Sequence, residues 1–191
     1  MTTATVNTKL TGLTGIYIID PAHSRIGFVA RHAMVTKVRG SFNQFVGNGS
    51  IDGEDMANAH LELNIQAASI DTRNPDRDAH LRSNDFLAMD RYPEITFVST
   101  QVEPVGPNKY RVKGDLTMRG VTRPVAVNFE YTGTSVDPYG NRRVGFEGGT
   151  SINRKDWGVN WNAALDAGGM LVSEKVDLEF EVSAIRTSDA T

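Results

Sequence analysis

Asp20, His23 and Ser24 fall within one five-residue stretch and carry the three groups of a hydrolytic triad: an acid, a base and a hydroxyl. Triads are assembled in space, so closeness in sequence is no evidence for one. No Gly-x-Ser-x-Gly elbow accompanies them, and other serines sit in contexts such as Ala68-Ser69-Ile70 and Thr150-Ser151-Ile152. A proline turn with a local side-chain cap is the simpler reading of Asp20–Ser24. The four histidines, His23, His32, His60 and His80, show no helical i, i+4 pairing with a carboxylate, so metal binding is not indicated. Carboxylate pairs such as Asp76/Asp78 and Glu179/Glu181 alternate with apolar or polar neighbours, as solvated faces do. Gly148–Gly149 and Gly168–Gly169 match neither a Walker nor a dinucleotide fingerprint and read as bends or bulges. No catalytic residue, metal ligand or cofactor is assigned.

The 191 residues suffice for one sizeable domain, with 39% hydrophobic and 23% charged residues. Twenty Lys+Arg against 23 Asp+Glu leave a net charge of -3, and the basic residues are scattered, which argues against a nucleic-acid partner. The densest basic groups are Arg73–Arg77–Arg82 and Arg142–Arg143. Cysteine is absent, excluding thiol nucleophiles, Fe–S clusters and disulfide staples. No run of seven apolar residues opens the chain and no 18-residue apolar stretch follows. A protein without stable membrane insertion, in the cytoplasm, is therefore expected.

The dominant period is two. Val176, Leu178, Phe180 and Val182 alternate with Asp177, Glu179 and Glu181; Val125–Tyr131 and Leu61–Ile65 repeat the pattern. Weaker versions cover 16–19, 26–32, 38–46, 95–102, 110–118 and 144–152, the first two readable as one strand bent at Asp20–Pro21. Eight or nine strands with short connections predict an all-β antiparallel sandwich or barrel. Turns are expected at Gly47–Asn48–Gly49, Asp52–Gly53, Gly106–Asn108 and Asp137–Asn141. Residues 74–91 break the rhythm: Asn74 caps a helix with Pro75 at its first position, and Asn84–Asp85 could cap a second one carrying Phe86, Leu87 and Met89. Residues 1–12 and 187–191 read as flexible tails around a domain spanning 13–186. Eight strands closed into a barrel can enclose one apolar ligand with a polar head, or a packed core of the same residues; alternation leaves both open.

Six strings occur in register: Ile18–Phe28 (IIDPAHSRIGF), Val38–Gly47 (VRGSFNQFVG), Arg77–Phe86 (RDAHLRSNDF), Tyr92–Ser99 (YPEITFVS), Gly114–Arg123 (GDLTMRGVTR) and Ile152–Asn162 (INRKDWGVNWN). In this order and spacing they closely resemble the YceI-like family of polyisoprenoid-binding proteins, from about Gly15 to Ile185. The resemblance implies an eight-stranded, lipocalin-like antiparallel barrel with a short helical cover. It also implies non-catalytic binding of an isoprenoid lipid, a polyprenyl phosphate or diphosphate or an isoprenoid quinone, for transport, storage or protection. Many such proteins carry an export signal; with no apolar run at the start of the sequence, a cytoplasmic form is the expectation here. The competing readings are a structural or stress-related interaction protein with a packed core, and an enzyme acting on a lipid-like substrate.

Under that resemblance, alternation nominates Phe28, Phe42, Leu63, Phe97, Phe129 and Phe146 for the lumen wall. Phe86 and Leu87 would close it from the helical cover, and Trp157 and Trp161 would line one mouth. His23, Arg25, His32, Arg82, Asn153 and Arg154 are the polar candidates for a head group, arginine because it grips phosphate with two parallel bonds. Asn153–Asp156 reads first as a capped turn with an ion pair, ahead of a head-group contact. A homodimer through an exposed sheet face is left open.

Overall fold

Alternating residues in this chain build eleven antiparallel strands in the computed structural model, which describes residues 9–188. In chain order they are β1 (Gly15–Ile19), β2 (Arg25–His32), β3 (Thr36–Phe42), β4 (Phe45–Ile51), β5 (His60–Gln66), β6 (Ile70–Asp71), β7 (Glu94–Gly106), β8 (Lys109–Met118), β9 (Val121–Val136), β10 (Arg142–Asn153) and β11 (Val172–Ser188). One helix, α1 (Pro75–Arg82), lies between β6 and β7.

The order β1-β4-β5-β7-β8-β9-β10-β11 closes on itself through a β1–β11 pairing, giving a barrel of eight strands. Closure removes the exposed edges of the ring. The strand β11 makes this possible by its length. Its C-terminal part, from Ala184, pairs with β1, while the stretch from Val172 to Glu181 pairs with β2. From β2 the sheet continues outward through β3 to β6.

The bend expected at Asp20–Pro21 is present: β1 and β2 follow one another along the same edge of β11. A second bend was not expected. The 38–46 run breaks at Asn43–Gln44, so β3 pairs with β2 and β4 with β1. The Gly47–Asn48–Gly49 turn is corrected, because these residues run straight through β4. A Cβ on Gly47 would lie 2.3 Å from Ile19 Cδ1, and one on Gly49 2.4 Å from the His60 carbonyl oxygen. Close approach of neighbouring strands, not turn geometry, explains both glycines. Gly148–Gly149 likewise sits in an unbroken stretch of ladder, the irregularity falling at Gly145/Phe146. Gly168 and Gly169 do have positive φ, +90° and +92°.

The cap of α1 is as expected, with the Asn74 side chain accepting from the Arg77 N–H and Pro75 opening the helix. The second helix is corrected to a series of turns through 83–92. There Leu87 N–H returns to Leu81 O and Met89 N–H to Arg82 O, and Ala88 has a φ of +48°. Of the expected tails, residues 1–8 and 189–191 lie outside the described residues. Leu10 is buried with its N–H on Gly53 O, and Thr187–Ser188 extend β11.

Candidate functional site

Inward-facing side chains of the ring do not meet across its axis. They leave a cavity of about 210 Å³. Its wall is almost wholly apolar, with Ile19, Leu63, Val112, Val127, Val144 and Val182 among its aliphatics. Burial raises the pKa of Tyr17 and Tyr110, so the hydroxyls of these two lining residues stay neutral. Of the residues nominated for the wall, Phe42, Leu63, Phe97, Phe129 and Phe146 are there. Phe180, not nominated although it lies in the cleanest alternating run, joins them with its ring 5.8 Å from that of Phe129.

Phe28 is not part of the cavity wall. Its ring covers Gly40 on the neighbouring strand and packs 5.7 Å from Phe42, in the branch of the sheet that leaves the ring at β11. Phe86 and Leu87 are buried in the core without lining the cavity. Phe86 forms a cluster with His80 (5.1 Å) and Trp161 (5.3 Å), and Trp161 stands edge-on to His80 at 4.6 Å. This cluster joins the 74–91 cover to the irregular stretch after β10. Trp157 backs the wall instead of lining it, 2% exposed with Nε1 donating to Leu116 O at 2.9 Å.

At the end of the ring where β1 begins and β11 finishes, a second recess of about 400 Å³ opens. Leu13, Tyr17, Thr134, Arg142 and Arg186 line it, and Tyr17 also lines the apolar cavity. The sequence reading missed this group, because β9 and β11 run past the stretches of strong alternation that announced them.

The model of the YceI-like domain matches residues 17–184. This chain belongs to the YceI family. Among its relatives is a UPF0312 protein of Vibrio cholerae serotype O1, 36% identical over 172 residues, spanning 89% of this chain and 87% of the relative. Among solved structures, Burkholderia cenocepacia BcnA superposes with a TM-score of 0.77 at 25% identity, covering 86% of this chain and 98% of BcnA. A polyisoprenoid binding domain from Saccharophagus degradans gives a TM-score of 0.68 at 14% identity, over 90% of this chain and 98% of that domain. The YceI-like fold of this chain therefore resembles that of a polyisoprenoid-binding domain.

The polar candidates of this YceI chain are mostly engaged elsewhere. Arg82 donates to Ala68 O (2.8 Å) and Ile70 O (3.1 Å), tying α1 to the strands beneath. Arg154 is 4% exposed and donates to the carbonyls of Val159, Ser173 and Val172. Burial lowers its pKa, with Glu174 opposing the shift. Asn153 caps the turn Arg154–Trp157, and the ion pair beside it joins Lys155 to Glu174 at 2.6 Å. Arg25 bonds Gly40 O and Glu179, and His32 is exposed at the end of β2.

Asp20 and His23 are joined at 2.7 Å, but Ser24 turns to Ser183, donating to its carbonyl and accepting from its N–H. The three are not brought together as a triad. Among the described residues no group of three His, Cys, Asp or Glu could hold a metal ion, and no helix is long and apolar enough to cross a membrane.

Proposed function

We propose that this protein binds an isoprenoid lipid in the barrel lumen without transforming it, for transport, storage or protection of the lipid. The apolar cavity carries the reading. Residual void volume destabilises a core by about 24 cal/mol per Å³, so 210 Å³ corresponds to roughly 5 kcal/mol that a packed core would recover. A void of that cost, walled by every strand of a closed ring, supports a lumen over a solid core. Likeness to a polyisoprenoid-binding domain supports the isoprenoid class. The tail would gain about 0.8 kcal/mol per buried CH₂ before ordering costs.

The void is smaller than the roughly 300–1,000 Å³ of drug-sized ligand sites. A long tail therefore enters by displacing half-buried rings, Phe42, Phe129, Phe146 and Phe180, which can turn where fully buried aliphatics cannot.

Native mass spectrometry of the gently purified protein, followed by organic extraction, tests the proposal. A bound species with isoprene-unit mass spacing or a quinone head is the expected result. A bare chain that also takes up neither added polyprenyl diphosphate nor quinone overturns it.

A further inference from the structure

We infer that two neighbouring hairpin tips, 33–35 and 163–171, form an apolar, cation-flanked surface that docks the barrel on an anionic lipid bilayer. This goes beyond the lumen reading, since it concerns how the protein meets a membrane and not what the lumen holds. Three side chains mark the place: Met34, Val35 and Met170 are 59%, 75% and 49% exposed. Ala33 N–H donates to Leu171 O at 2.7 Å, so the β2–β3 turn and the loop before β11 stand side by side as one projection. That loop is itself a hairpin, with Ala164 bridged to Met170 and Leu165 N–H on Gly169 O. Its base is held by Asn162 Oδ1, which accepts from the N–H groups of Ala163 and Val172. Across both tips Asp166 is the one charged residue. Contiguous apolar surface held out in water marks an interaction site.

The backbone gives a second, independent sign. Ala33 and Met34 have φ of +51° and +59° in the turn closed by Val35 N–H to His32 O. Two successive positive φ values favour Asn-Gly, and a residue with a Cβ pays for adopting them. Neither the backbone nor water favours Met34 here, whereas an apolar phase does. The charges decide which phase. Arg31 and Lys37, exposed cross-strand partners just below the turn, repel one another. Neither enters an ion pair among the described residues. The carboxylates of β11 are matched with other cations: Glu174 with Lys155, Asp177 with Lys175, and Glu179 with Arg25 and Arg39. Lys37 acts on Asp177 through space, beyond ion-pair distance. Apolar side chains flanked by cations match the boundary between anionic headgroups and acyl chains. The docked loop starts beside Trp161, whose ring packs on His80 and Phe86 of the 74–91 cover.

Co-sedimentation of the whole protein with vesicles tests this, using phosphatidylcholine alone and phosphatidylcholine mixed with phosphatidylglycerol. The wild type is expected to prefer the anionic vesicles. Ala33→Asn/Met34→Gly suits the turn while removing the apolar side chain. It should keep or raise Tm, leave geranylgeraniol uptake in titration calorimetry unchanged, and weaken vesicle binding about tenfold or more. Arg31→Gln and Lys37→Gln should each weaken binding to the anionic vesicles about fivefold. No vesicle binding, or binding that the Asn-Gly variant retains in full, overturns the docking surface; geranylgeraniol uptake then leaves the lumen reading standing. Equal binding to both vesicle types refutes the anionic surface. Self-association that the Asn-Gly variant abolishes, without vesicle binding, assigns the tips to a second copy and also overturns the inference. Tip-dependent vesicle binding without geranylgeraniol uptake upholds the docking surface and refutes the lumen reading.

Discussion

Asp20 and Arg143, 123 residues apart, meet at 2.7 Å and pin the bend between β1 and β2 to the start of β10. The same guanidinium holds Asp137 in the β9–β10 turn at 2.9 Å, so one side chain fixes two changes of direction in the barrel wall. The bend needs it, because Asp20 must also cap the Pro21–His23 turn by accepting from Ala22 N–H.

That network sets a pH dependence. The Arg143 hydrogen bond, then that from His23, lowers the pKa of Asp20. Asp137 is lowered further, by the Asn141 amide first and by Arg143 as well. Carboxyl groups with depressed folded-state values contribute stability that is complete above their ordinary value of about 4 and fades as the pH falls through the folded values. Arg143→Gln should therefore lower Tm most at neutral pH, with the gap to wild type narrowing as the pH is taken from about 5 to about 2. Thermal unfolding across that range checks it; a gap independent of pH counts against the network.

Filling the lumen should separate binding from folding. Val127 is 3% exposed and lines the cavity, so Val127→Phe places a ring in existing void. Overpacking costs about 1–3 kcal/mol where no space exists, and here space is available. The variant should unfold within a few degrees of wild type while geranylgeraniol uptake, followed by titration calorimetry, falls at least about tenfold. Undiminished uptake would show that the tail lies elsewhere.

The sequence announced the barrel because its closing strands alternate cleanly: Val125–Tyr131 and Val176–Val182 sit at the centres of β9 and β11. The ends of those strands were illegible. Around Gly133, Thr134 and Arg186 the chain shows no contrast of apolar with polar residues, and that contrast is the primary strand signal in a single sequence. The recess was lost with them. Phe28 misled for a different reason: it shares the parity of Ile26, which does line the cavity, but two residues further along β2 its ring lies over Gly40 and beside Phe42, and parity says nothing about how far along a strand a cavity reaches. Arg82 and Arg154 looked like head-group ligands because a sequence shows charge without showing backbone carbonyls waiting for it.

Arg82 gives the next expectation. Its two bonds to Ala68 and Ile70 carbonyls anchor the cover, and charged hydrogen bonds of this kind are each worth about 1.5–3 kcal/mol. Arg82→Gln should lower unfolding free energy by roughly 2 kcal/mol and leave geranylgeraniol uptake intact. Denaturant unfolding and the same lipid titration measure both; loss of uptake with full stability would return Arg82 to the ligand site.

Trp161 ties the 74–91 cover to the stretch after β10 through His80 and Phe86. Two further anchors hold the cover from below: Arg119 donates to the carbonyls of Asn84 and Phe86, and Arg82 reaches the carbonyl of Ala68 in the short turn between β5 and β6. The polar anchors grip one side only, so the aromatic cluster decides whether cover and loop move together. Aromatic pairs add about 0.5–1.5 kcal/mol beyond their buried area, and two such contacts at one ring are enough to shift a local opening equilibrium by about tenfold or more. Trp161→Ala should thus speed amide exchange in residues 84–91 and shorten the residence time of a loaded lipid, while Trp161→Phe restores much of both. Exchange and lipid release that stay at wild-type rates in the alanine variant would place the exit at the recess end instead.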